Sequence, residues 1–119
     1  MSDWRSPSEQ ELKLLYSILD GVMSGKDLQM PRACPICSPN RSSLHIYFHV
    51  RGTNGRGGVW IWCDNCGTYI HGSIHPPTWW RNLEAIDPKR LTAVPGYLND
   101  LADQIDAHWA TLQHDIRST

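Results

Sequence analysis

Apolar and polar positions along the chain predict a helix, then a group of strands, then a second helix. In the first segment apolar residues recur at helical spacing, at Leu12, Leu15, Leu19, Val22 and Met23. Leu14 and Ile18 widen this stripe, which implies burial on two sides or contact with a partner. Two alternative capping boxes, Ser6 with Glu9 and Ser8 with Glu11, precede it, and the helix is expected to end between Gly21 and Gly25.

Alternation of apolar and polar residues predicts strands in the middle of the chain. A half-buried strand is expected where Leu44, Ile46, Phe48 and Val50 alternate with His45, Tyr47, His49 and Arg51. The glycine-rich segment 52–58 predicts a hairpin loop, after which Val59, Ile61 and Cys63 alternate with Trp60 and Trp62. Residues 68–74 are a candidate third strand, which His75-Pro76-Pro77 would end.

A second amphipathic helix is predicted from about Gly96 to about Ile116. Six apolar residues fall within roughly 80° of its circumference at 100° per residue: Leu98, Leu101, Ile105, Trp109, Leu112 and Ile116. Asp100, Asp103 and Asp106 lie on the other side, so this helix has a core-facing stripe and an acidic outer face. Before it, Thr78 is a candidate cap for a short helix, whereas Pro88 and Pro95 exclude a long one.

Composition favours a folded chain of one domain that does not span a membrane and lies in the cytoplasm. The 119 residues are 40% hydrophobic and 19% charged, unlike a disordered chain. No apolar run approaches the roughly 20 residues of a membrane span, and no signal-peptide core is present near Met1. Tryptophan is over-represented, with six Trp against one Phe.

Charge is distributed unevenly although the net charge is −1. Residues 34–82 contain four Arg and a single acid, whereas residues 83–119 contain six acidic and three basic side chains. The near-neutral total argues against a general polyanion binder. The acidic C-terminal part favours a basic protein as the partner.

Two Cys-x-x-Cys motifs, Cys34–Cys37 and Cys63–Cys66, stand on either side of the predicted hairpin. In a reducing compartment such pairs favour a metal over disulfides. One tight turn can present both sulfurs of a motif, and the hairpin would bring the two turns together. Gly67 can adopt the positive φ that such turns need, whereas Ser38 holds the matching position in the first motif. We predict one structural Zn²⁺ held in a tetrahedral site by all four cysteines; four free thiols or two redox pairs are the alternatives.

A non-enzymatic protein is expected, because four thiolates leave no coordination position for water or substrate. The His-x-Glu that zinc deaminases place before their cysteines is absent. His71 and His75, with Asn82 nearby, keep a small metal-dependent nuclease as a third alternative. Pro76 and Pro77 argue against it, because they interrupt the helix that such a site requires.

Arg51 precedes the hairpin loop and Arg56 lies within it, and both are candidate partner-binding residues. Beside Tyr47, Trp60 and Trp62 they could bind nucleic acid, with the cations on phosphates and the rings on bases. The alternative is that the tryptophans pack under a helix and the loop is a plain turn.

Trp79 and Trp80 are further candidates, because exposed tryptophan anchors protein interfaces. Burial of both rings in the core is the alternative. Asp100, Asp103 and Asp106 are candidate contacts for a basic partner, or else a solvated helix face.

One stretch resembles a known group of proteins. The run Gly-Gly-Val-Trp-Ile-Trp-Cys-Asp-Asn-Cys from Gly57 to Cys66 is followed by Tyr69-Ile70-His71 and by Pro77-Thr78-Trp79-Trp80. This pattern, with Cys34-Pro35-Ile36-Cys37 upstream, is similar to small bacterial zinc-ribbon immunity proteins that accompany secreted antibacterial (polymorphic or contact-dependent) toxins. The resemblance covers about residues 34–80. It implies a non-enzymatic inhibitor of one cognate toxin in the cytoplasm of the producing cell, and it carries over only the four cysteines.

These patterns predict an α+β fold in which a zinc ribbon of two to three antiparallel strands, with two zinc knuckles, is flanked by an N-terminal and a C-terminal α-helix. We expect a single domain over residues 1–119: the N-terminal helix in 1–33, the ribbon in 34–75, and a Trp-rich connection with the amphipathic helix in 76–119. The expected function is binding and neutralisation of a toxin with a basic surface. A nucleic-acid-binding zinc-ribbon regulator is the second alternative.

Overall fold

A three-stranded antiparallel sheet with helices before and after it forms the fold. The structure is a computed structural model that describes residues 4–38 and 40–118, with side chains up to Asp115. Its elements are α1 (Glu9–Met23), β1 (Leu44–Val50), β2 (Gly57–Cys63), β3 (Tyr69–Ile74), a 3₁₀ turn (Pro88–Arg90), α2 (Gly96–Asp100) and α3 (Ala102–Ser118). The strand order is β1-β2-β3, so the α+β class and the third strand are confirmed. Among the helices described, none is long and apolar enough to cross a membrane.

α1 begins at the second of the two predicted caps. Ser8 Oγ accepts a hydrogen bond from the Glu11 N–H at 3.2 Å, and the Glu11 carboxylate accepts one from the Ser8 N–H at 2.9 Å. The Arg5 guanidinium holds the same carboxylate at 3.0 Å. Part of the wide apolar stripe of α1 stays in solvent, since Leu14 is 45% and Met23 36% exposed. Tyr16 of the same helix, outside the stripe, is 49% exposed.

Both faces of β1 are buried, so the prediction of a half-buried strand is wrong. The alternation itself is real, because Ile46 and Phe48 lie on one side of the sheet and His45 and Tyr47 on the other. We call the second side the Trp face; it carries His45, Tyr47, His49, Gly58, Trp60, Trp62, Tyr69, His71 and Ser73. The chain after β3 covers this face: Trp60 Nε1 donates to the Thr92 carbonyl at 2.7 Å, and Trp62 Nε1 donates to Asn99 Oδ1 at 3.0 Å.

The outer edge of β1 is closed by its neighbours. The backbone of Arg32 exchanges hydrogen bonds with the first residue of the strand. Trp109 Nε1 donates to the Ile46 carbonyl at 2.6 Å, and the Asn82 side chain bonds the N–H and the C=O of Val50 at 2.8 and 3.0 Å. An edge whose backbone groups are occupied in this way does not pair with another chain.

The predicted C-terminal helix is broken at Leu101 into α2 and α3. The Leu101 N–H bonds the Leu98 carbonyl at 3.0 Å, and its ψ of 17° lies outside the helical range. The break lets α2 place Asn99 on Trp62 of the Trp face while α3 lies against β1. Ile105, Trp109 and Leu112 are buried as expected, and the side chain of Ile116 lies outside the described residues.

Residues 78–81 form a turn, not the short helix predicted from Thr78. The Trp80 N–H bonds the Pro77 carbonyl at 3.0 Å, and the residues directly after it, 81–83, are not helical. The turn directs the Trp80 ring into the core, where its centroid lies 5.2 Å from the rings of both Phe48 and Trp109.

Candidate metal centre

Four cysteine sulfurs converge at the end of the sheet where β1 begins and β2 ends. The Sγ atoms of Cys34, Cys37, Cys63 and Cys66 all lie within 4.8 Å of one another. Cys34 and Cys63 are buried, and the other two are half-buried. Within residues 4–38 and 40–115 no other group of three or more His, Cys, Asp and Glu side chains is close enough to share an ion. The four predicted ligands are therefore brought together and could hold a metal.

Each Cys-x-x-Cys turn directs backbone N–H groups at its first sulfur. The Ile36 N–H donates to Cys34 Sγ at 3.4 Å, and the N–H groups of Asn65 and Cys66 donate to Cys63 Sγ at 3.3 and 3.4 Å. Such donors stabilise the thiolate form that metal binding requires.

The two turns end in the same way although their last residues differ. The Ser38 N–H bonds the Cys34 carbonyl at 2.9 Å, and the Gly67 N–H bonds the Cys63 carbonyl at 3.0 Å. Gly67 has φ of 78°, as predicted, and Ser38 has φ of 44°. Because a side chain is disfavoured in this left-handed region, the first turn is the more strained of the two.

Polar side chains surround the sulfurs. Ser43 Oγ lies 3.2 Å from Cys63 Sγ, Asn65 Nδ2 donates to Cys37 Sγ at 3.4 Å, and Thr68 Oγ1 lies 3.3 Å from Cys66 Sγ. Hydrogen bonds of this kind orient metal ligands and offset their charge. These three residues were not predicted from the sequence, where their only signal is their position next to the cysteines or beside them across the sheet.

The acidity of the thiols depends on their surroundings. Burial raises the pKa of Cys34 to about 12 and also raises that of Cys37. Burial opposes ionisation of Cys66 as well, but hydrogen bonds with Thr68 lower its pKa to about 7. A cation bound by all four sulfurs must therefore displace protons from Cys34 and Cys37.

A buried histidine links the second cysteine turn to α3. His45 Nε2 lies 2.7 Å from Asp64 and Nδ1 lies 2.9 Å from Asp106, with the side chain only 4% exposed. Burial alone would lower the pKa of His45, but the hydrogen bonds to Asp106 and Asp64 raise it overall. This bridge was not predicted. Asp106, placed by the sequence on the solvated acidic face, is half-buried and bound to His45, because α3 turns it towards the sheet.

The other predicted partner-binding residues divide into exposed and buried ones. Asp100 and Asp103 are exposed, and neither has an ion pair within the part of the chain that the structure describes. Trp80 is buried and Trp79 half-buried, and both rings pack on Trp109. The structure thus supports core packing for these two tryptophans and leaves Trp80 no surface to offer a partner.

Arg51 and Arg56 are exposed beside the hairpin loop, as expected. The rings predicted to stack on bases are not accessible, because Tyr47, Trp60 and Trp62 are at most 1% exposed under the 83–101 segment. A base-stacking surface is therefore absent from this part of the described sheet.

His71 and His75 do not form a metal group with any other described residue. His71 Nδ1 bonds the Val59 carbonyl at 3.0 Å, so one nitrogen is occupied within the sheet. His75 follows β3 in an extended segment that leads into Pro76 and Pro77, where a helix was required for a nuclease site.

No protein-family model matches the chain, and neither a curated protein nor a solved structure matches it significantly. The resemblance to immunity proteins therefore stays a prediction.

Proposed function

We propose that the chain is a zinc-ribbon protein in which Cys34, Cys37, Cys63 and Cys66 hold one Zn²⁺. Four thiols are a donor set that suits Zn²⁺. Zn–S bonds of about 2.3 Å in a tetrahedron place the sulfurs about 3.8 Å apart. The Sγ atoms here lie within 4.8 Å of one another, with Cys37 and Cys63 at 3.6 Å, so small shifts of the sulfurs satisfy that geometry. Bound zinc would supply folding free energy, and each Cys-x-x-Cys turn would be a zinc knuckle.

We infer further that the protein acts by binding another protein and not by catalysis. Four thiolates would fill the coordination sphere of the metal and leave no position for a substrate. The observation that carries the binding function is the exposed pair Asp100 and Asp103 at the α2–α3 junction, since neither carboxylate has a cation partner among the described side chains. Unpaired surface carboxylates favour association with a basic surface.

The partner that we propose is a cognate bacterial toxin with a basic surface, which this protein would neutralise in the cytoplasm as its immunity protein. The pattern in residues 34–80 supports this class, and the acidic pair supports the charge of the partner. The exposed Leu14 and Tyr16 of α1 add apolar area that a protein partner could cover.

The test is co-expression with the product of the neighbouring gene, followed by purification of a complex. We expect the protein to restore the growth of cells that produce the toxin. The double substitution Asp100→Asn/Asp103→Asn should slow association of the protein with the toxin about tenfold at low salt. Glu84→Gln removes an exposed charge outside α1 and outside the α2–α3 junction, and should leave association unchanged. Failure of co-expression to rescue growth, with no complex recovered, would refute the immunity function.

A nucleic-acid-binding regulator is the second candidate, and the exposed Arg51 and Arg56 favour it. Because the neighbouring rings are buried, such binding would rest on phosphate contacts and would weaken steeply with salt. The absence of binding to DNA and RNA at low salt would remove this candidate.

A further inference from the structure

A pocket of about 420 Å³ opens on the Trp face at the hairpin end of the sheet. Arg51, Arg56, Gly57, Gly58, His71 and Ser73 line it. It lies roughly 20 Å along β2 from the cysteines, given the rise of a strand. Neither the metal centre nor the acidic pair uses it.

Gly58 of the central strand lines the pocket without a side chain. Strand pairing places Gly58 between His49 of β1 and Ser73 of β3. At this position across the sheet, β2 therefore has only the hydrogen of Gly58, and β3 has only the small side chain of Ser73. A Cβ at Gly58 would lie 3.1 Å from the Trp60 ring and 3.3 Å from the His71 ring. The glycine therefore lets both rings pack closely over β2 beside the pocket.

Two arginines stand opposite each other at its rim. The Arg51 N–H bonds the Arg56 carbonyl at 2.7 Å, so the residues form a cross-strand pair. The alternation of the strands places both on the Trp face. Like charges in this arrangement repel each other, and no described carboxylate forms an ion pair with either guanidinium. An anion between the two would relieve the repulsion.

His71 and Ser73 add hydrogen-bonding groups on the β3 side. His71 Nδ1 bonds the Val59 carbonyl and must carry the hydrogen, because a carbonyl only accepts; Nε2 is left for a ligand. The ring is stacked on Trp60 at 4.4 Å, which fixes its orientation. The Ser73 hydroxyl is exposed and makes no hydrogen bond within the described residues.

We propose that this pocket binds a small phosphate monoester, with the phosphate between Arg51 and Arg56 and with the Ser73 hydroxyl as a further donor. Guanidinium groups bind phosphate oxygens in a bidentate manner, which makes paired arginines suited to a dianion. The volume lies within the range of small-molecule sites and suits a ligand of mononucleotide size.

Calorimetric titration of the zinc-loaded chain at low salt tests the proposal with three probes: inorganic phosphate, adenosine 5′-monophosphate and adenosine. We expect the monophosphate to saturate one site and adenosine to give no signal. Equal affinity for phosphate and the monophosphate would show that the pocket binds only the phosphoryl group. Tighter binding of the monophosphate would show that the pocket also contacts the rest of the ligand. Saturation by adenosine, or no saturation by either phosphate probe at about 10 mM, would overturn the proposal.

Variants locate the site. Arg51→Ala/Arg56→Ala should weaken the monophosphate at least about tenfold, and Ser73→Ala a few-fold. Lys13→Ala/Lys26→Ala removes two exposed positive charges that do not line the pocket, and should leave affinity unchanged. Equal losses in both double variants would show unspecific attraction and refute the site. The proposal does not rest on the proposed inhibitor function, because the arginine variants leave the cysteines and the acidic pair intact.

Discussion

His45 is a buried residue whose charge contributes to the stability of the fold. Both ring nitrogens face carboxylates, Asp64 from the second cysteine turn and Asp106 from α3, and Arg41 holds the other oxygen of Asp64 at 2.6 Å. Since each nitrogen meets an acceptor, the doubly protonated imidazolium fits this site, and its pKa is raised despite burial. The folded chain therefore holds the proton more tightly than the unfolded chain.

This gives a pH-dependent prediction for His45→Gln. The charged bridge stabilises the fold fully below the unfolded histidine pKa of about 6.5, and the contribution is lost as pH rises through the raised folded pKa. Urea unfolding of zinc-loaded protein should show a deficit of about 3 kcal/mol in the variant at pH 6. The deficit should shrink towards pH 9. His75→Gln, an exposed control, should change little; a deficit of constant size across this range would contradict the raised pKa.

The four cysteines could be predicted from the sequence because the spacing of metal ligands is local. Two residues separate the cysteines within each motif, and a hairpin separates the two motifs. The groups around them were not predictable in the same way. Ser43, Thr68 and His45 acquire their roles only when strands and α3 come together, which no spacing along the chain encodes. Asp106 shows the same limit, since helical periodicity places a residue on a face but does not say what lies opposite it.

Among the elements, α1 offers a direct test of its start. Two capping boxes fit the sequence, and the structure uses Ser8 with Glu11. Ser8→Ala should cost about 1 kcal/mol, or about 4 °C in the midpoint of thermal unfolding, because the N–H of Glu11 loses its acceptor. Ser6→Ala is the matched control and should have no comparable effect. A larger loss of stability for Ser6→Ala than for Ser8→Ala would place the start of the helix two residues earlier, with Ser6 as its cap.

The two edges of the sheet differ, and this predicts a pattern of amide exchange in β3. The Tyr69 N–H points outward to the Arg5 carbonyl at 3.1 Å, so by alternation the amides of His71 and Ser73 also point outward, where no described residue bonds them. Those of Ile70 and Gly72 face β2. Hydrogen exchange followed by NMR should therefore protect Ile70 and Gly72 at least about a hundredfold more than His71 and Ser73. Equal protection of all four would mean that this edge is covered.

At the scale of elements, apolar periodicity predicted which residues face inward but not what covers them. β1 alternates as expected, yet both of its faces are buried because the 83–101 segment crosses the Trp face. The break at Leu101 has the same origin, since one straight helix could not contact both Trp62 and β1. Tertiary contacts of this kind override local pattern.

Over the whole molecule, distinct chemistries lie at opposite ends of the sheet. The cysteines gather at one end, the arginines stand at the other, and the acidic pair lies on the α2–α3 junction. The sequence predicted this uneven charge by region. Four thiolates with one Zn²⁺ would carry −2 and would make the cysteine end negative, which leaves the hairpin end as the basic part of the sheet.

Metal removal tests the structure as a whole. Elemental analysis of protein prepared in reductant should give about one zinc per chain, and a strong chelator should unfold it, because zinc binding to four thiolates supplies folding free energy of about 10 kcal/mol or more. Zinc affinity should rise with pH, since the raised pKa values of Cys34 and Cys37 make binding release protons.

Cys63→Ser should abolish stoichiometric zinc, because this buried sulfur accepts two backbone N–H bonds and lies 3.6 Å from Cys37 Sγ. Ser43→Ala keeps all four ligands and removes only one polar contact to Cys63, so it should retain the metal with weakened affinity. Circular dichroism after chelation decides between a metal-dependent fold and a core that suffices alone. An unchanged spectrum and cooperative unfolding without metal would show that the tryptophan-rich core around Trp109 holds the fold, and that the cysteines serve another purpose.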